Sequence, residues 1–97
     1  MLKRDLYRAA MQRWGMEIQL TILQEECAEV IMAVSKFRRG TDLPVNLTDD
    51  LCQEIADVEI MIEQVREAGW GEIIDHHKKQ KLERLHDRLF PTPEEQP

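Results

Sequence analysis

The sequence has few aromatic residues, few cysteines and no long apolar stretch. Aromatic residues make up 5% of the 97 residues, and no segment approaches the roughly 20 apolar residues that a membrane-spanning helix needs. The N-terminus has no apolar core of a secretion signal. The two cysteines, Cys27 and Cys52, lie among apolar residues inside helical patterns, which predicts buried thiols and not an exported disulfide framework. We therefore expect a cytoplasmic protein without a membrane partner.

An excess of basic charge is also lacking. The formal net charge is −6, whereas proteins that bind a nucleic-acid backbone carry clustered Lys and Arg on a basic face. Apolar residues are 42% and charged residues 33% of the chain, a balance that is too apolar for disorder. The composition predicts one small soluble domain with no nucleic-acid partner. A small anionic ligand would need metal ions to mediate its contact with so acidic a chain.

Glycine and proline divide an otherwise helical pattern. The divisions fall near Gly40, near Gly69 and in the proline-rich end. Between them we predict an all-α fold with four helices, over residues 3–14, 16–39, 49–68 and 72–89. Thr48 is the candidate N-cap of the third helix, and Gly40 suits the left-handed conformation that ends the second. The predicted domain covers residues 1–90, and residues 91–97 are predicted to form a flexible tail.

Apolar residues recur at helical spacing on the second and third predicted helices. One stripe runs from Leu20 to Phe37 and the other from Leu51 to Val65, so the two helices are predicted to pack as an antiparallel hairpin. Other apolar residues lie off these stripes, namely Ile18, Ile22, Met32, Ile60, Ile73 and Ile74. Because a small protein rarely leaves a large apolar patch in water, we expect homo-oligomerisation, as a homodimer or a homotetramer, to complete a four-helix bundle.

Two pairs of acidic residues lie on these two helices at a spacing of three. Glu26 and Glu29, and likewise Glu54 and Asp57, are about 60° apart around their helix. Glu26 and Glu54 border the apolar stripes, so the pairs are expected at the edge of the hairpin interface, facing one another. Carboxylates this close favour a cation, and oxygen ligands without matching Cys or His favour Mg²⁺, or Mn²⁺, over Zn²⁺. Solvated surface acids are the alternative, and spacing alone leaves both interpretations open.

The last predicted helix carries a basic run that interrupts the acidic character of the chain. Lys81 and Arg88 lie about two turns apart on one side, which suits phosphate oxygens beside metal ions, and Lys78 joins them as a candidate phosphate-binding residue. A solvated charged face is the alternative. Glu83 and His86 also form a Glu-x-x-His motif that is typical of di-iron bundles, for which a symmetric dimer would supply the second copy.

The acidic motifs resemble the signature of a known family, the MazG-like all-α nucleoside triphosphate pyrophosphohydrolases. Its E-E-x-x-E and E-x-x-D elements are similar to QEECAE at residues 24–29 and QEIADV at residues 53–58. The resemblance implies a Mg²⁺-dependent enzyme that cleaves nucleoside triphosphates between the α and β phosphates, giving a nucleoside monophosphate and pyrophosphate. The resemblance implies that the metal ligands are Glu26, Glu29, Glu54 and Asp57. It makes Glu25 a neighbouring acid that orients water.

The last helix departs from the family in one position. Members often carry Lys-x-x-x-Asn-x-x-Arg there for phosphate and sugar contacts, and Lys81 and Arg88 fit this pattern whereas Leu85 replaces the Asn. The base and sugar are therefore left open, with Gln19 and Trp14 as candidate contacts, although a packed or rim aromatic residue is the favoured interpretation of Trp14. The alternative function is a catalytically silent helical oligomerisation or regulatory module that keeps the hairpin for packing.

Overall fold

The computed structural model describes residues 1–95, and all regular structure in that range is helical. Three long helices make up most of it: α1 (Lys3–Arg39), α2 (Leu47–Val65) and α3 (Gly71–Leu89). A π-helical turn at Arg66–Trp70 joins α2 to α3, and a 3-10 turn follows at Pro93–Glu95. The predicted all-α class is confirmed. Within residues 1–95, no helix combines the length and apolar character needed to cross a membrane.

Helix α1 is kinked at Gly15, where φ is 81° and ψ is 165°. Glycine adopts this conformation readily, whereas a residue with a Cβ atom is strained in it. The predicted break at residue 15 is therefore present as a kink, but the two helices predicted on either side of it form one kinked helix, Lys3–Arg39. At the other end Gly40 has a φ of 71°, and its N–H donates to the Lys36 carbonyl at 3.0 Å. The predicted glycine stop is also confirmed.

The N-cap of helix α2 lies two residues earlier than predicted. The N-cap is Asn46, whose Oδ1 accepts a hydrogen bond from the Asp49 N–H at 2.9 Å. The prediction of Thr48 as the cap is wrong, because Asn46 is the residue with extended backbone (φ −98°, ψ 91°) and Thr48 already lies inside the helix. An N-cap needs this non-helical backbone so that its side chain can reach the N–H two or three residues on.

Helices α1 and α2 pack against each other as the predicted hairpin. Their contacting faces advance by steps of three and four residues, which strictly alternate on α2 as in a coiled-coil seam. On α1 the less exposed positions include Gln19, Ile22, Glu26, Val30 and Ala33, and on α2 they are led by Leu47, Leu51, Glu54, Val58, Met61 and Val65. Glu26 and Glu54 thus lie in the seam itself, whereas the sequence predicts them at its edge.

Both cysteines are exposed, so the prediction of buried thiols is wrong. The contacting face of α1 passes through Glu26, and Cys27 is turned about 100° from it around the helix. The contacting face of α2 passes through Leu51, which turns Cys52 away in the same manner. The apolar neighbours of each cysteine in the sequence therefore do not enclose it in the fold.

The segment of α1 before the kink lies against the C-terminal end of α2. The Tyr7 hydroxyl donates a hydrogen bond to a carboxylate oxygen of Glu63, and Lys3 Nζ lies 3.3 Å from the same oxygen. Arg8 Nε donates to Glu67 Oε1 at 2.7 Å. These contacts fix α1 against α2 at one end of the hairpin, while the loop after Gly40 joins them at the other.

Helix α3 packs chiefly on the turn at 66–70, and Arg66 Nη1 donates to Asp75 Oδ1 at 2.9 Å across that junction. The Cα radius of gyration is 18.2 Å, whereas a compact chain of about 100 residues has roughly 13 Å. One chain therefore forms a hairpin with a projecting helix and not a closed four-helix bundle. Of the tail predicted over 91–97, residues 96 and 97 lie outside the described range.

Candidate metal site between two helices

Three acidic residues from the two helices of the hairpin meet at one point. Glu26 of α1 and Glu54 and Asp57 of α2 each offer a carboxylate oxygen, and these oxygens all lie within 4.8 Å of one another. In the range 1–95 this is the one group of three or more Asp, Glu, His or Cys side chains so arranged. We call Glu26, Glu54 and Asp57 the acidic trio. The predicted facing of the two acidic pairs across the hairpin is borne out for these three residues.

The position of the trio follows from the seam. Glu26 and Glu54 occupy seam positions and are half-buried, whereas Asp57, three residues after Glu54, lies exposed at the rim. The pKa of Glu26 is raised above its usual range, chiefly because burial removes water from its carboxylate, and then because the charges of Asp57 and Glu54 lie close. Like charges gathered in a partly desolvated place favour either a bound proton or a bound cation.

The other two acidic residues of the predicted site stand apart from the trio. Glu29 is exposed one turn further along α1, and with Glu54 it lines a neighbouring crevice. Glu25 is exposed and lies about 100° around the helix from Glu26. Three of the four predicted ligands are therefore brought together, the fourth is adjacent, and a role for Glu25 stays a prediction.

Two adjoining crevices lie along the hairpin between this point and its loop. The inner crevice, of about 200 Å³, is lined by Glu29, Lys36, Asp50, Gln53 and Glu54 together with apolar side chains. The outer crevice, of about 340 Å³, is lined by Lys36, Asp50, Arg39 and the loop after it. Lys36 and Asp50 line both. Sequence reasoning missed these residues, although Glu29 to Lys36 spans seven residues, which keeps both on one face of α1.

The predicted phosphate-binding residues lie on the projecting helix. Lys78, Lys81 and Arg88 are exposed, and Lys81 and Arg88 line a groove of about 240 Å³ with Arg84 and Leu85. This groove contains none of the predicted metal ligands. Within one chain, therefore, the described residues do not bring the α3 cations into the crevices beside the trio.

The two residues predicted to contact a base or sugar differ in accessibility. Gln19 is 2% exposed, and its Nε2 donates to the Ala10 carbonyl at 3.5 Å, across the kink in α1. A base contact by Gln19 stays a prediction that would require this packing to open. Trp14 is 48% exposed, and the Arg13 guanidinium lies 5.6 Å from its ring centroid, so its indole face is already in contact with a cation.

The Glu-x-x-His motif of α3 takes no part in the acidic trio. Glu83 and His86 are exposed, and His86 Nδ1 lies 3.3 Å from Asp87 Oδ1. His76 and His77 form an edge-to-face pair on the same helix. In the part of the chain that the structure describes, none of these residues belongs to a cluster with ligand geometry, and a di-iron site shared between two copies stays untested.

Comparison with known proteins adds no identification. No protein-family model, no curated protein and no solved structure matches this chain.

Proposed function

We propose that this protein is a Mg²⁺-dependent nucleoside triphosphate pyrophosphohydrolase of the MazG-like kind, cleaving the bond between the α and β phosphates. The observation that carries the proposal is the convergence of Glu26, Glu54 and Asp57 from two helices to within 4.8 Å. It is supported by the motif resemblance of residues 24–29 and 53–58. Spacing along one helix cannot produce this convergence by itself, because it requires a particular register between α1 and α2.

The donor set of the trio fits a hard divalent cation. All three residues offer carboxylate oxygens, which Mg²⁺ and Mn²⁺ prefer, and no cysteine or histidine belongs to the group. The raised pKa of Glu26, caused first by burial and then by its acidic neighbours, is the electrostatic state that a cation relieves. Glu26, Glu54 and Asp57 would hold the ion, and Glu29, one turn further along α1, is the fourth ligand that the resemblance implies.

When bound, Mg²⁺ supplies neutralisation of the phosphate oxygens and a water that loses its proton more readily. The overall reaction adds water at the α phosphorus and breaks its bond to the bridging oxygen, which releases pyrophosphate. The contribution of the protein itself is to position the carboxylates. Because Glu26 and Glu54 lie half-buried in the seam, folding itself brings their carboxylates together and partly desolvates them, which lowers the reorganisation needed when a ligand binds. Exposed Asp57 leaves the rim open to a nucleotide.

We further propose that two copies of the chain associate. One chain exposes 8148 Å², whereas a compact monomer of 11.4 kDa exposes about 5,800 Å². The excess is far more than the roughly 800 Å² that each partner buries in a stable interface. Exposed apolar side chains lie on all three helices, among them Ile18, Ile31, Phe37, Ile60, Leu82, Leu85 and Leu89. A second copy would cover these side chains.

The direct test is incubation with a panel of nucleoside triphosphates and Mg²⁺, followed by separation of the products. We expect a nucleoside monophosphate and pyrophosphate, and release of orthophosphate would contradict the assigned bond. Glu54→Gln should abolish turnover, because the amide removes charge with little change in volume. Glu59→Gln, an exposed acid on the same helix, is the matched control and should retain activity. Circular dichroism on both variants verifies that the helices remain.

A silent oligomerisation or regulatory module is the competing function. It uses the same hairpin and the same apolar surface, but it gives the trio no ligand. Thermal melting separates the two, because a ligand that binds the folded state raises its stability by mass action. An unchanged melting temperature on addition of Mg²⁺ and nucleotide, together with no turnover, would favour the silent module.

A further inference from the structure

The two crevices beside the trio differ in the charge of their lining: the charged residues of the inner one are mainly acidic, and the outer one holds two cations and a single acid, Asp50. Glu29 and Glu54 line the inner crevice close to the trio, while Lys36 and Arg39 line the part nearest the loop. Glu29 and Lys36 are seven residues apart, which places them on one face of α1 about 10 Å apart along its axis. A metal-bound polyphosphate has the matching polarity, since its cation faces carboxylates and its outer phosphate oxygens remain anionic.

The two cations at the loop end lack an acidic partner. Among the residues that the structure describes, neither Lys36 nor Arg39 makes an ion pair within 4.0 Å. Leu47, at the first turn of α2, also lines both crevices. The positive end of the α2 dipole adds to the attraction for an anion there. The α3 cations, in contrast, line a groove of their own.

We propose that the inner and outer crevices form a polyphosphate-binding groove, in which Lys36, supported by Arg39, binds the phosphate oxygens furthest from the acidic trio. The proposal rests on the proposed function, because the trio must hold the cation end of the ligand. It assigns the leaving pyrophosphate to cations of the same hairpin and not to Lys81 and Arg88 of α3.

Lys36 could also stabilise the C-terminal end of α1, and the experiment must distinguish this role from phosphate binding. Basic residues in the last turn of a helix stabilise it through the helix dipole, and α1 ends with Lys36, Arg38 and Arg39. Arg38 shares that position but is turned about 200° from Lys36 around the helix, and it lines neither crevice. It therefore provides a control with the same charge and the same place along α1.

The experiment is calorimetric titration of inorganic pyrophosphate, in Mg²⁺, into the wild type, Lys36→Met and Arg38→Met. We expect Lys36→Met to weaken pyrophosphate binding about tenfold, the size of one charge-assisted hydrogen bond, and Arg38→Met to stay within about twofold of the wild type. Lys36→Arg should restore most of the affinity. Equal weakening in Lys36→Met and Arg38→Met, or none in Lys36→Met, would overturn the proposal.

A change at Asp50 should have the opposite effect on pyrophosphate affinity. Asp50 lines both crevices, so Asp50→Asn should tighten pyrophosphate binding by removing a like charge. Weaker binding in Asp50→Asn would overturn the groove, because it would make Asp50 a ligand for the metal.

Pyrophosphate binding and nucleotide hydrolysis are measured separately, so the two proposals can fail independently. A wild type that binds pyrophosphate through Lys36 but hydrolyses no nucleotide refutes the proposed function alone. A wild type that hydrolyses nucleotides with unchanged pyrophosphate affinity in Lys36→Met refutes the groove alone.

Discussion

The hydroxyl of Tyr7 donates a hydrogen bond to the carboxylate of Glu63, although 56 residues separate them in the sequence. The bond joins the first two turns of α1 to the last turn of α2, and Lys3 adds its ammonium group to the same carboxylate. The pKa of Glu63 is lowered, first by this hydrogen bond and then by Lys3, and the pKa of Tyr7 is raised chiefly by its bond to Glu63. The segment before the kink is thus held by specific contacts.

Tyr7→Phe should lower the melting temperature by a few degrees, because it removes the donor while keeping the ring. Circular dichroism at fixed protein concentration measures the change. Arg4→Ala, a change to an exposed residue of the same segment that makes no ion pair within the described residues, is the control and should melt as the wild type does. If both variants melt alike, the hydroxyl does not fix the segment.

The same contact predicts a dependence on pH. Because the folded-state pKa of Glu63 lies below its ordinary value of 4.5, the unfolded chain takes up the proton first as the pH falls. The stabilisation is therefore fully present above that value and is lost as the pH falls through the folded-state pKa. We expect the stability difference between wild type and Tyr7→Phe to stay constant from neutrality down to about pH 4.5 and to shrink as the pH falls further. Urea unfolding measures it, and a difference that stays constant below that pH would argue against this linkage.

Gly15→Ala should destabilise the protein by about 1–3 kcal/mol, because φ of 81° with ψ of 165° is strained for alanine. Nothing lies within 4 Å of an added Cβ, so crowding is not the cause. Gly71→Ala is the matched control, since Gly71 has helical angles of −58° and −44°, and its change should be neutral or stabilising by about 0.4–1 kcal/mol. Urea unfolding measures both variants. Equal destabilisation would show that the backbone conformation at the kink is not the cause of the loss in Gly15→Ala.

Asn46→Ala should reduce the free energy of unfolding by about 1 kcal/mol, the usual loss when an N-cap is removed. Its side chain accepts the Asp49 N–H at 2.9 Å, and alanine leaves that donor to water. Thr48→Ala serves as the comparison, because Thr48 lies inside α2 and caps nothing. Urea unfolding measures both variants. A larger loss of stability for Thr48→Ala would identify Thr48 as the N-cap and contradict the role of Asn46.

Glu26→Gln should have opposite effects with and without Mg²⁺. Without metal, the wild type should lose stability as the pH rises through the raised pKa of Glu26, because ionisation is harder in the folded state than in the unfolded chain. The variant lacks that loss. With Mg²⁺, the wild type should gain thermal stability and the variant should not. Glu59→Gln should behave as the wild type in both buffers, and an equal Mg²⁺ response in Glu26→Gln would place the ion elsewhere.

Much of the local structure could be predicted because its causes lie within a few residues. Glycine at 15 and 40 permits positive φ. Apolar residues at helical spacing predicted the hairpin, although Ile31 and Phe37 of the predicted stripe are exposed in it. The same local rule gave a wrong N-cap, since Thr48 and Asn46 both have capping side chains and only the backbone conformation at Asn46 selects between them. It also failed for Cys27, whose exposure depends on which face of α1 meets α2.

By itself, the sequence determined that acidic residues share a helical face, because a spacing of three fixes their angle around one helix. Only the tertiary structure decided which of them meet. Glu26, Glu54 and Asp57 converge while Glu29 lies in the crevice beside them, since the register of two helices depends on side chains far apart in the chain. The same holds for the separation of Lys81 and Arg88 from the trio, which follows from the turn that directs α3 away from the hairpin.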